Sequence, residues 1–460
     1  MVSNKLTQIV SWATGILAII LVLLPFHATL TVWASSLVGH YTLLRLWKEI
    51  LLLLLAPLVA VVLWKVPKLR YRLEIGWLFW AIVFYALLHI LLGGLALVKH
   101  QVSITALADA LILNLRFFLI FLLALVFATQ SEWLKIHWRQ LLLWPAVIVV
   151  VFGLLQVFVL PLDALRHVGY GPSTIAPYET VDQKLNYVRV QSTLRGANPL
   201  GAYVVLIIGG LVVALFRKRL VLSKRLAGLL FLLGGLVVLW ATYSRSAYLG
   251  MFVTVLALLW VVAHQARKRR WLIGGLAAGL VVLVGIFAAF HNNDRFQNTF
   301  FHSDEHSYSL QSSNAKRSSA MLSGLRDTVT EPFGRGPGTA GPASVHNGTR
   351  GSRIAENYYL QIGQEVGWLG IALFVAINYM VVRRLWRRRA DPLARTLLVS
   401  FFGISLINLM SHAWTDDTLS MIWWGFAGIA LAPAILPAIS KAHRNVSKQT
   451  KKQKTVAAAN

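Results

Sequence analysis

The stretch PFGRGPGTAGPASVHNGTRGSRIAENYYLQIGQEVGWLG, residues Pro332–Gly370, joins a glycine-rich loop to an apolar helix. Four glycines between Gly334 and Gly341, together with three prolines, disfavour a long helix before Ile354. From Ile354 the pattern predicts a helix that becomes fully apolar after Gly370. Polar residues recur on it at three- and four-residue spacing and form one predicted stripe, comprising Asn357, Gln361, Gln364 and Glu365. Because polar groups in a membrane helix are costly unless they face a cavity or a partner, we expect the rest of the chain to build a cavity that this stripe faces.

Composition places this stretch in a membrane protein. The chain has 460 residues, of which 57% are hydrophobic and only 13% are charged, more apolar surface than a soluble domain can bury. Apolar runs of about 20 residues, each long enough to cross a bilayer, predict an all-α polytopic membrane protein with about twelve transmembrane helices. The predicted spans cover roughly residues 9–29, 50–64, 75–98, 107–128, 141–160, 200–216, 226–240, 247–264, 271–290, 362–382, 397–410 and 421–438. The first run lacks a clean cleavage site and is interpreted as a retained signal-anchor.

The charge pattern sets the predicted orientation. The formal net charge of +27 lies in short basic clusters between alternate spans, which is the positive-inside pattern and predicts no nucleic-acid partner. Both termini are therefore expected on the cytoplasmic side of a bacterial plasma membrane. Residues 1–440 form one predicted integral membrane domain, and the basic tail 441–460 is predicted to be disordered. The long loops 161–199 and 291–353 lie on the other side, so the working face is predicted to be extracytoplasmic.

Metal and cofactor chemistry is not predicted. The chain has no cysteine, which excludes thiolate metal sites. His302–His306 match the pattern H-x-x-E-H, but no apolar helical face or third ligand supports a zinc site. The glycine-rich loop lacks G-K-[ST] and follows no strand, so it is not expected to bind a nucleotide.

Arginines on the outer side are the first candidate site. Arg189 and Arg195 precede the sixth span, and Arg245 lies in a tight turn between the seventh and eighth spans, where it breaks the positive-inside rule. Guanidinium groups there suit a phosphate or pyrophosphate, and the alternative is contact with lipid headgroups. Arg335 and Arg353 add positive charge on the glycine-rich loop. Arg116, near the start of the fourth span, is expected either to reach the cavity or to extend towards the headgroups.

Acidic residues at the mouth of the tenth span are the second candidate site. Glu356 is positioned to act as a general base, with Asn357 and Tyr359 beside it, although an acid in the first turn of a helix is also common for stability alone. Glu365 lies deeper among apolar residues and is expected either to contact substrate or to bond a neighbouring helix. Asp416 and Asp417 are interpreted as a solvated loop pair in preference to a cation or sugar site.

Three of these pieces together resemble the O-antigen ligase and O-antigen polymerase (Wzy-like) membrane superfamily. They are RVQSTLRGANPLGAY, the turn YSRSAYLG, and FGRGPGTAG followed by ENYYLQIGQEVGWLG. The resemblance runs from about Arg189 to the C-terminus, and the span count with a large outer loop between spans 9 and 10 also fits a GT-C-like fold. It implies an undecaprenyl-pyrophosphate-linked oligosaccharide donor and an acceptor glycan in the lipid bilayer, without a cofactor.

The resemblance also implies residue roles. Arg195 and Arg245 would hold the donor pyrophosphate. The ligase branch carries a histidine followed by asparagine at the head of the tenth span, and Glu356 stands at that position here; His346, followed by Asn347, is the second candidate base. This departure favours an inverting, metal-independent polymerase of repeat units over a ligase. A transporter or flippase of the same lipid-linked glycan is the alternative without enzymatic activity.

Overall fold

The computed structural model describes residues 2–74, 76–181, 184–215, 221–265, 274 and 313–433. Helices dominate these segments. They are α1 Val2–Leu23, α2 His27–Val38, α3 Trp47–Lys65, α4 Pro67–Glu74, α5 Trp77–Val98, α6 Ile104–Gln130, α7 Trp133–Phe158, α8 Ala197–Leu215, α9 Leu222–Ala241, α10 Arg245–Gln265, α11 Ser313–Thr330, α12 Tyr358–Arg387, α13 Pro392–Asn408 and α14 Asp417–Leu431. Short helical turns at Leu24–Phe26, Tyr41–Leu44, Ala164–Val168, Pro342–Arg350 and Ala413–Thr415 connect them.

The predicted spans agree with the helices wherever the chain is described. Nine helical segments are long and apolar enough to cross a membrane, the first running over α1 and α2 as Lys5–Val38. They correspond to nine of the twelve predicted spans. The last two predicted spans are the shorter helices α13 and α14, and the ninth, residues 271–290, lies outside the described residues except for position 274. The mostly helical, polytopic character of the chain is confirmed, whereas the exact number of twelve stays a prediction.

The centre of the bundle is built on α6 and α14. These two helices make the most extensive contact between any two described elements, followed by α10 with α13 and α13 with α8. Trp424 of α14 packs against Phe117, Phe118 and Phe121 of α6, with ring centroids 4.9 to 5.7 Å apart. On the outer surface of the bundle, large apolar side chains such as Trp77 (83% exposed) face away from the core, as expected for helices that contact lipid.

The loop 161–199, which is predicted to lie on the outer side, contains a small sheet that the all-α expectation did not include. Strands β1 Glu179–Val181 and β2 Lys184–Arg189 pair antiparallel, with Glu179 opposite Arg189. The pairing places oppositely charged residues next to each other at the end of the hairpin. The hairpin ends immediately before the segment that carries Arg195.

The glycine-rich loop is non-helical at its start, as predicted, but the helix prediction from Ile354 was wrong. Residues 342–350 form a 3₁₀ helix and α12 begins only at Tyr358. Glu356 has a positive φ of 50°, and Asn357 caps α12 by accepting hydrogen bonds from the N–H groups of Tyr359 (2.9 Å) and Leu360 (3.1 Å). The side-chain cap ends the loop and starts the helix at a defined residue.

Helix α12 is interrupted at Gly367, and the glycine-rich loop fits against the interruption. Gly367 has φ 66° and ψ −165°, and a Cβ there would overlap the carbonyl oxygen of Pro332. The carbonyls of Gln364 and Glu365 instead accept hydrogen bonds from the N–H groups of Arg335 (2.9 Å) and Gly336 (2.8 Å). The loop therefore supplies backbone donors that the broken helix lacks.

Candidate functional site

Arg189 connects the two arginine-bearing motifs of the outer side. Its Nε donates to the carbonyl of Thr242 (2.9 Å), its Nη2 donates to Oδ1 of Asn198 (2.6 Å), and its Nη1 lies 3.3 Å from Oε2 of Glu179. Thr242 is three residues before Arg245, and Asn198 is three residues after Arg195. One half-buried guanidinium thus holds the hairpin, the start of α8 and the turn before α10 together.

Glu356 belongs to the same region through an arginine that the sequence analysis missed. Arg317 of α11 forms an ion pair with Oε2 of Glu356. Burial lowers the pKa of Arg189, the carboxylate of Glu179 opposes that shift, and the positive charge of Arg317 lowers the pKa further, which indicates that the two arginines are close. Arg317 lies on a serine-rich helix without a motif, so no local signal in the sequence could have identified it.

Arg195 and Arg245 differ in their surroundings. Arg195 is exposed, and no carboxylate in the described segments forms an ion pair with it. Burial and the adjacent Asp417 raise the pKa of Asp416, while the charges of Arg195 and Arg116 act in the opposite direction, so Arg195 lies near the start of α14. Arg245 is half-buried and is the first residue of α10.

Arg116 is not a free cation in a cavity, and it does not extend to the headgroups. It is 5% exposed; its Nη1 donates to Oε1 of Glu49 (2.8 Å), and its Nη2 donates to the carbonyl of Thr415 (2.6 Å) and pairs with Asp417. The expected contact with headgroups was therefore wrong, because two acidic residues that are distant in sequence pair with Arg116 inside the bundle. A role of Arg116 in substrate binding stays a prediction.

Asp417 is the centre of this ion cluster, and the interpretation of Asp416 and Asp417 as a solvated pair was also wrong. Lys48, which is fully buried, lies 3.1 Å from both Glu49 and Asp417, and Nε2 of His27 lies 3.0 Å from Asp417. Asp416 caps α14 through the N–H groups of Thr418 and Leu419. We call the five residues His27, Lys48, Glu49, Arg116 and Asp417 the buried ion cluster. It connects α2, α3, α6 and α14.

Glu365 holds the glycine-rich loop. Its side chain is fully buried, and it accepts hydrogen bonds from Nδ2 of Asn114 on α6 (2.7 Å) and from the N–H of Gly338 (2.8 Å). Gln361 lies 3.5 Å from the same carboxylate, and the Gln364 side chain donates to Asp327 (2.8 Å). The polar stripe therefore contacts α6, α11 and the loop, where the sequence analysis expected it to face a cavity.

Arg353 pairs with Asp327 of α11, and Arg335 pairs with Glu331, which directly follows α11. Arg353 donates through Nε (3.2 Å) and Nη2 (2.5 Å) to Oδ2 of Asp327, and Arg335 pairs with Glu331. Burial alone would raise the pKa of Asp327, but the hydrogen bonds from Arg353 and Gln364 lower it below its usual value. Beside these pairs lies a cavity of 280 Å³, which we call the loop cavity; it is lined by His100, Gln101, Arg335, Thr339, Asn347, Gly351 and Arg353.

The remaining predicted site residues lie around the loop and the mouth of α12. Nδ1 of His346 is 2.7 Å from Oδ2 of Asp109 on α6. Asn357 donates through Nδ2 to the carbonyl of Leu409 (3.0 Å), and Tyr359 donates through its hydroxyl to the carbonyl of Ser405 (3.4 Å). The roles of these residues in substrate binding stay predictions, and His302–His306 lie outside the described residues.

Comparison with known proteins gives one match. Residues 229–375, about a third of the chain, match a family model described as O-antigen ligase. The matched range contains Arg245, Arg317, Glu356 and the whole glycine-rich loop, but neither Arg189 nor Arg195. No curated protein matches the chain. The match supports the resemblance noted in the sequence: residues 229–375 are similar to the O-antigen ligase family.

Proposed function

We propose that the protein transfers glycan from an undecaprenyl-pyrophosphate-linked oligosaccharide at the outer face of the cytoplasmic membrane, and that it polymerises repeat units of a surface polysaccharide. The family match supports a glycosyltransferase-like role in glycan assembly. Two observations support the finer proposal: Arg189 joins the two arginine motifs, and Arg317, whose charge acts on Arg189, forms an ion pair with the predicted base Glu356.

Arg189 and Arg195 have different roles in this proposal, because they differ in whether a carboxylate balances their charge. The charge of Arg189 is balanced by Glu179 and its other nitrogens bind the Thr242 carbonyl and Asn198, so it positions the motifs. Arg195 is exposed without a carboxylate partner in the described segments, and it is therefore available to bind an anion. In the proposed reaction Arg195, together with Arg245, stabilises the negative charge that develops on the departing pyrophosphate.

Glu356 supplies the base in this proposal. Its carboxylate takes the proton from the acceptor hydroxyl, whose oxygen forms a bond to the anomeric carbon of the donor sugar. The bond from that carbon to the phosphate oxygen breaks from the opposite face, the electron pair leaves with the pyrophosphate lipid, and the anomeric configuration inverts. Arg317 holds Oε2 of Glu356 and fixes the orientation of the carboxylate.

The cellular test separates the polymerase from the ligase. The gene is deleted, complemented with wild type or variants, and the surface polysaccharide is separated on a gel. Single repeat units in the deletion strain support a polymerase, whereas long chains that remain on the lipid carrier mean a ligase. Arg195→Ala and Glu356→Gln are expected to reduce chain formation about 100-fold or more, because each removes a group acting on the transition state.

Two controls make this test specific. Arg166→Ala removes another exposed arginine of the predicted outer side, which in the described part of the chain pairs with Asp163 across 3.7 Å, and it is expected to leave polysaccharide unchanged. The purified protein is then incubated with lipid-linked donor alone. Formation of product without an added partner excludes a pure transporter, and unchanged activity of Glu356→Gln excludes Glu356 as the base.

A further inference from the structure

The loop cavity has the composition of a binding site for a neutral polar ligand. It lies between the turn that joins α5 to α6, which supplies Gln101, and the glycine-rich loop, which supplies Thr339 and Arg353. Its two arginines are already paired, Arg353 with Asp327 and Arg335 with Glu331. Because these carboxylates balance the guanidinium charges, the cavity has no excess of positive charge with which to hold a pyrophosphate.

Hydrogen-bonding capacity remains unused at the cavity wall. Nη1 of Arg353 is buried and has no hydrogen-bond partner among the described residues, although Nε and Nη2 of the same side chain are engaged. The amide of Gln101 is exposed. An unpartnered buried donor costs free energy, and because Nη1 lies beneath the cavity surface, a ligand hydroxyl reaches it only after the Arg353 side chain shifts.

The backbone leaves this space open. A Cβ added at Gly351 would meet no atom within 4 Å, so the cavity continues past this residue. Asn347, which lines the same cavity, is held by the N–H of Ser103 (3.0 Å) and by the carbonyl of Gly338 (2.7 Å), which fixes the wall between α6 and the loop. A volume of 280 Å³ is at the small end of ligand pockets, about 300–1,000 Å³, and suits one or two sugar rings.

We infer that the loop cavity is the subsite for the acceptor saccharide, separate from the arginines that bind the donor pyrophosphate. The inference rests on the proposed function and assigns the acceptor to a place within it. Arg353 lines the cavity and Glu356 follows it by three residues of non-helical chain, which span at most about 10 Å. In this proposal a saccharide in the cavity extends its reacting hydroxyl to Glu356, while the exposed Gln101 binds another of its hydroxyl groups.

The test measures saccharide binding and donor use separately, with the full chain in nanodiscs. The probe is the free oligosaccharide released by mild acid from the producing cell's lipid-linked repeat unit, and its binding is measured by saturation-transfer NMR and calorimetry. Gln101→Ala and Gly351→Asn are expected to weaken its binding about tenfold, by removing one hydrogen bond and by filling the cavity, respectively. Slow hydrolysis of the lipid-linked donor by water, which needs no acceptor, is measured in the same wild-type preparation to report donor use.

Matched controls exist for both variants. Lys99→Ala changes an exposed neighbour of the cavity that does not line it, and Gly348→Asn places the same side chain at another positive-φ glycine, with φ 61°, next to open space. Both controls are expected to bind the oligosaccharide as wild type does. Weakening of binding only in the cavity variants supports the inference.

Two results would overturn the acceptor subsite, and a third would overturn the proposed function on which it rests. Wild-type binding by Gln101→Ala and Gly351→Asn overturns the acceptor subsite and leaves the proposed function standing. Displacement of the oligosaccharide by inorganic pyrophosphate shows that the cavity holds an anion and also overturns it. A wild-type protein that neither transfers nor hydrolyses the donor overturns the proposed function itself.

Discussion

Asp327 is the residue whose charge holds the glycine-rich loop to α11. Its Oδ2 accepts hydrogen bonds from Arg353 and from Gln364, and these bonds lower its pKa in the folded protein. A lowered pKa stabilises the fold at neutral pH. That contribution is fully present above the unfolded carboxyl pKa of about 4 and is lost as the pH falls through the lower, folded value. We therefore expect wild-type protein to lose thermal stability on acidification below about pH 4.

The variant Asp327→Asn tests this interaction. It is expected to destabilise the protein by about 1–2 kcal/mol at neutral pH, because Arg353 loses its charged acceptor, and to show a smaller loss on acidification than wild type. The unfolding temperature in detergent, measured across pH, checks both effects. Asp163→Asn is the control, since Asp163 and Arg166 are about half exposed and pair weakly. A pH profile of Asp327→Asn identical to that of wild type would refute the role of this carboxylate.

At the level of single residues, sequence could predict chemistry but not partners. Arg195 and Glu356 were identified as outer polar residues in a membrane chain, and the structure leaves both at least partly exposed. Arg116 was recognised as unusual, but its partners Glu49 and Asp417 are 67 and 301 positions away and cannot be read from local spacing. Arg353 pairs with Asp327, 26 positions away, for the same reason, whereas Glu331, the partner of Arg335, is only four positions away.

At the scale of elements, the buried ion cluster joins helices that are far apart in the chain. Arg116 of α6 contacts Glu49 of α3 and Asp417 of α14, while Lys48 contacts both acids. Arg116→Met leaves two buried carboxylates facing one lysine and is expected to destabilise the protein by about 3–5 kcal/mol. The unfolding temperature in detergent reports the loss.

Arg45→Met is the matched control for Arg116→Met. Arg45 lies 3.6 Å from Asp109, and its side chain is 31% exposed, so its replacement is expected to cost at most about 1 kcal/mol. Equal stability of the two variants would show that the buried ion cluster contributes no more than a surface pair.

Element boundaries were predictable where length and apolarity decide them. Nine predicted spans correspond to long apolar helices, because only a continuous helix satisfies the backbone in lipid. The start of α12 was missed by four residues, since Ala355 and Glu356 read as helix formers while Asn357 acts as the cap. The break at Gly367 depends on the loop that lies against it. The spacing of apolar residues along the sequence does not reveal such tertiary contacts.

At the scale of the whole molecule, the positive-inside pattern makes orientation the next prediction. The native chain has no cysteine, so a single introduced thiol reports its own side of the membrane. Ser173→Cys lies in the predicted outer loop and Ala390→Cys lies between α12 and α13, and both positions are exposed. In spheroplasts, a membrane-impermeant maleimide is expected to label Ser173→Cys at once and Ala390→Cys only after permeabilisation.

The reverse labelling pattern would place the arginine motifs in the cytoplasm. The cysteine-free wild type serves as the unlabelled control in both conditions.

The fold class of the whole molecule was predictable from composition, because a chain with this apolar content is expected to form a bundle of membrane helices. The meeting of outer segments into one region was predictable only through the family resemblance, since the Arg189 contacts bridge positions 179 to 242.

Because α12 is interrupted at Gly367, its insertion into the membrane depends on the length of the segment Pro332–Gly336. The N–H groups of Arg335, Gly336 and Trp368 donate hydrogen bonds to carbonyls across the break, so Pro332, Arg335 and Gly336 each have a backbone partner on α12. Shortening or lengthening this segment by one position would shift every donor away from its acceptor and leave bare peptide groups at the edge of the hydrocarbon layer. An inserted or deleted codon is therefore as damaging here as a side chain at Gly334 or Gly336, where an added Cβ would lie within 2.6 Å of other atoms.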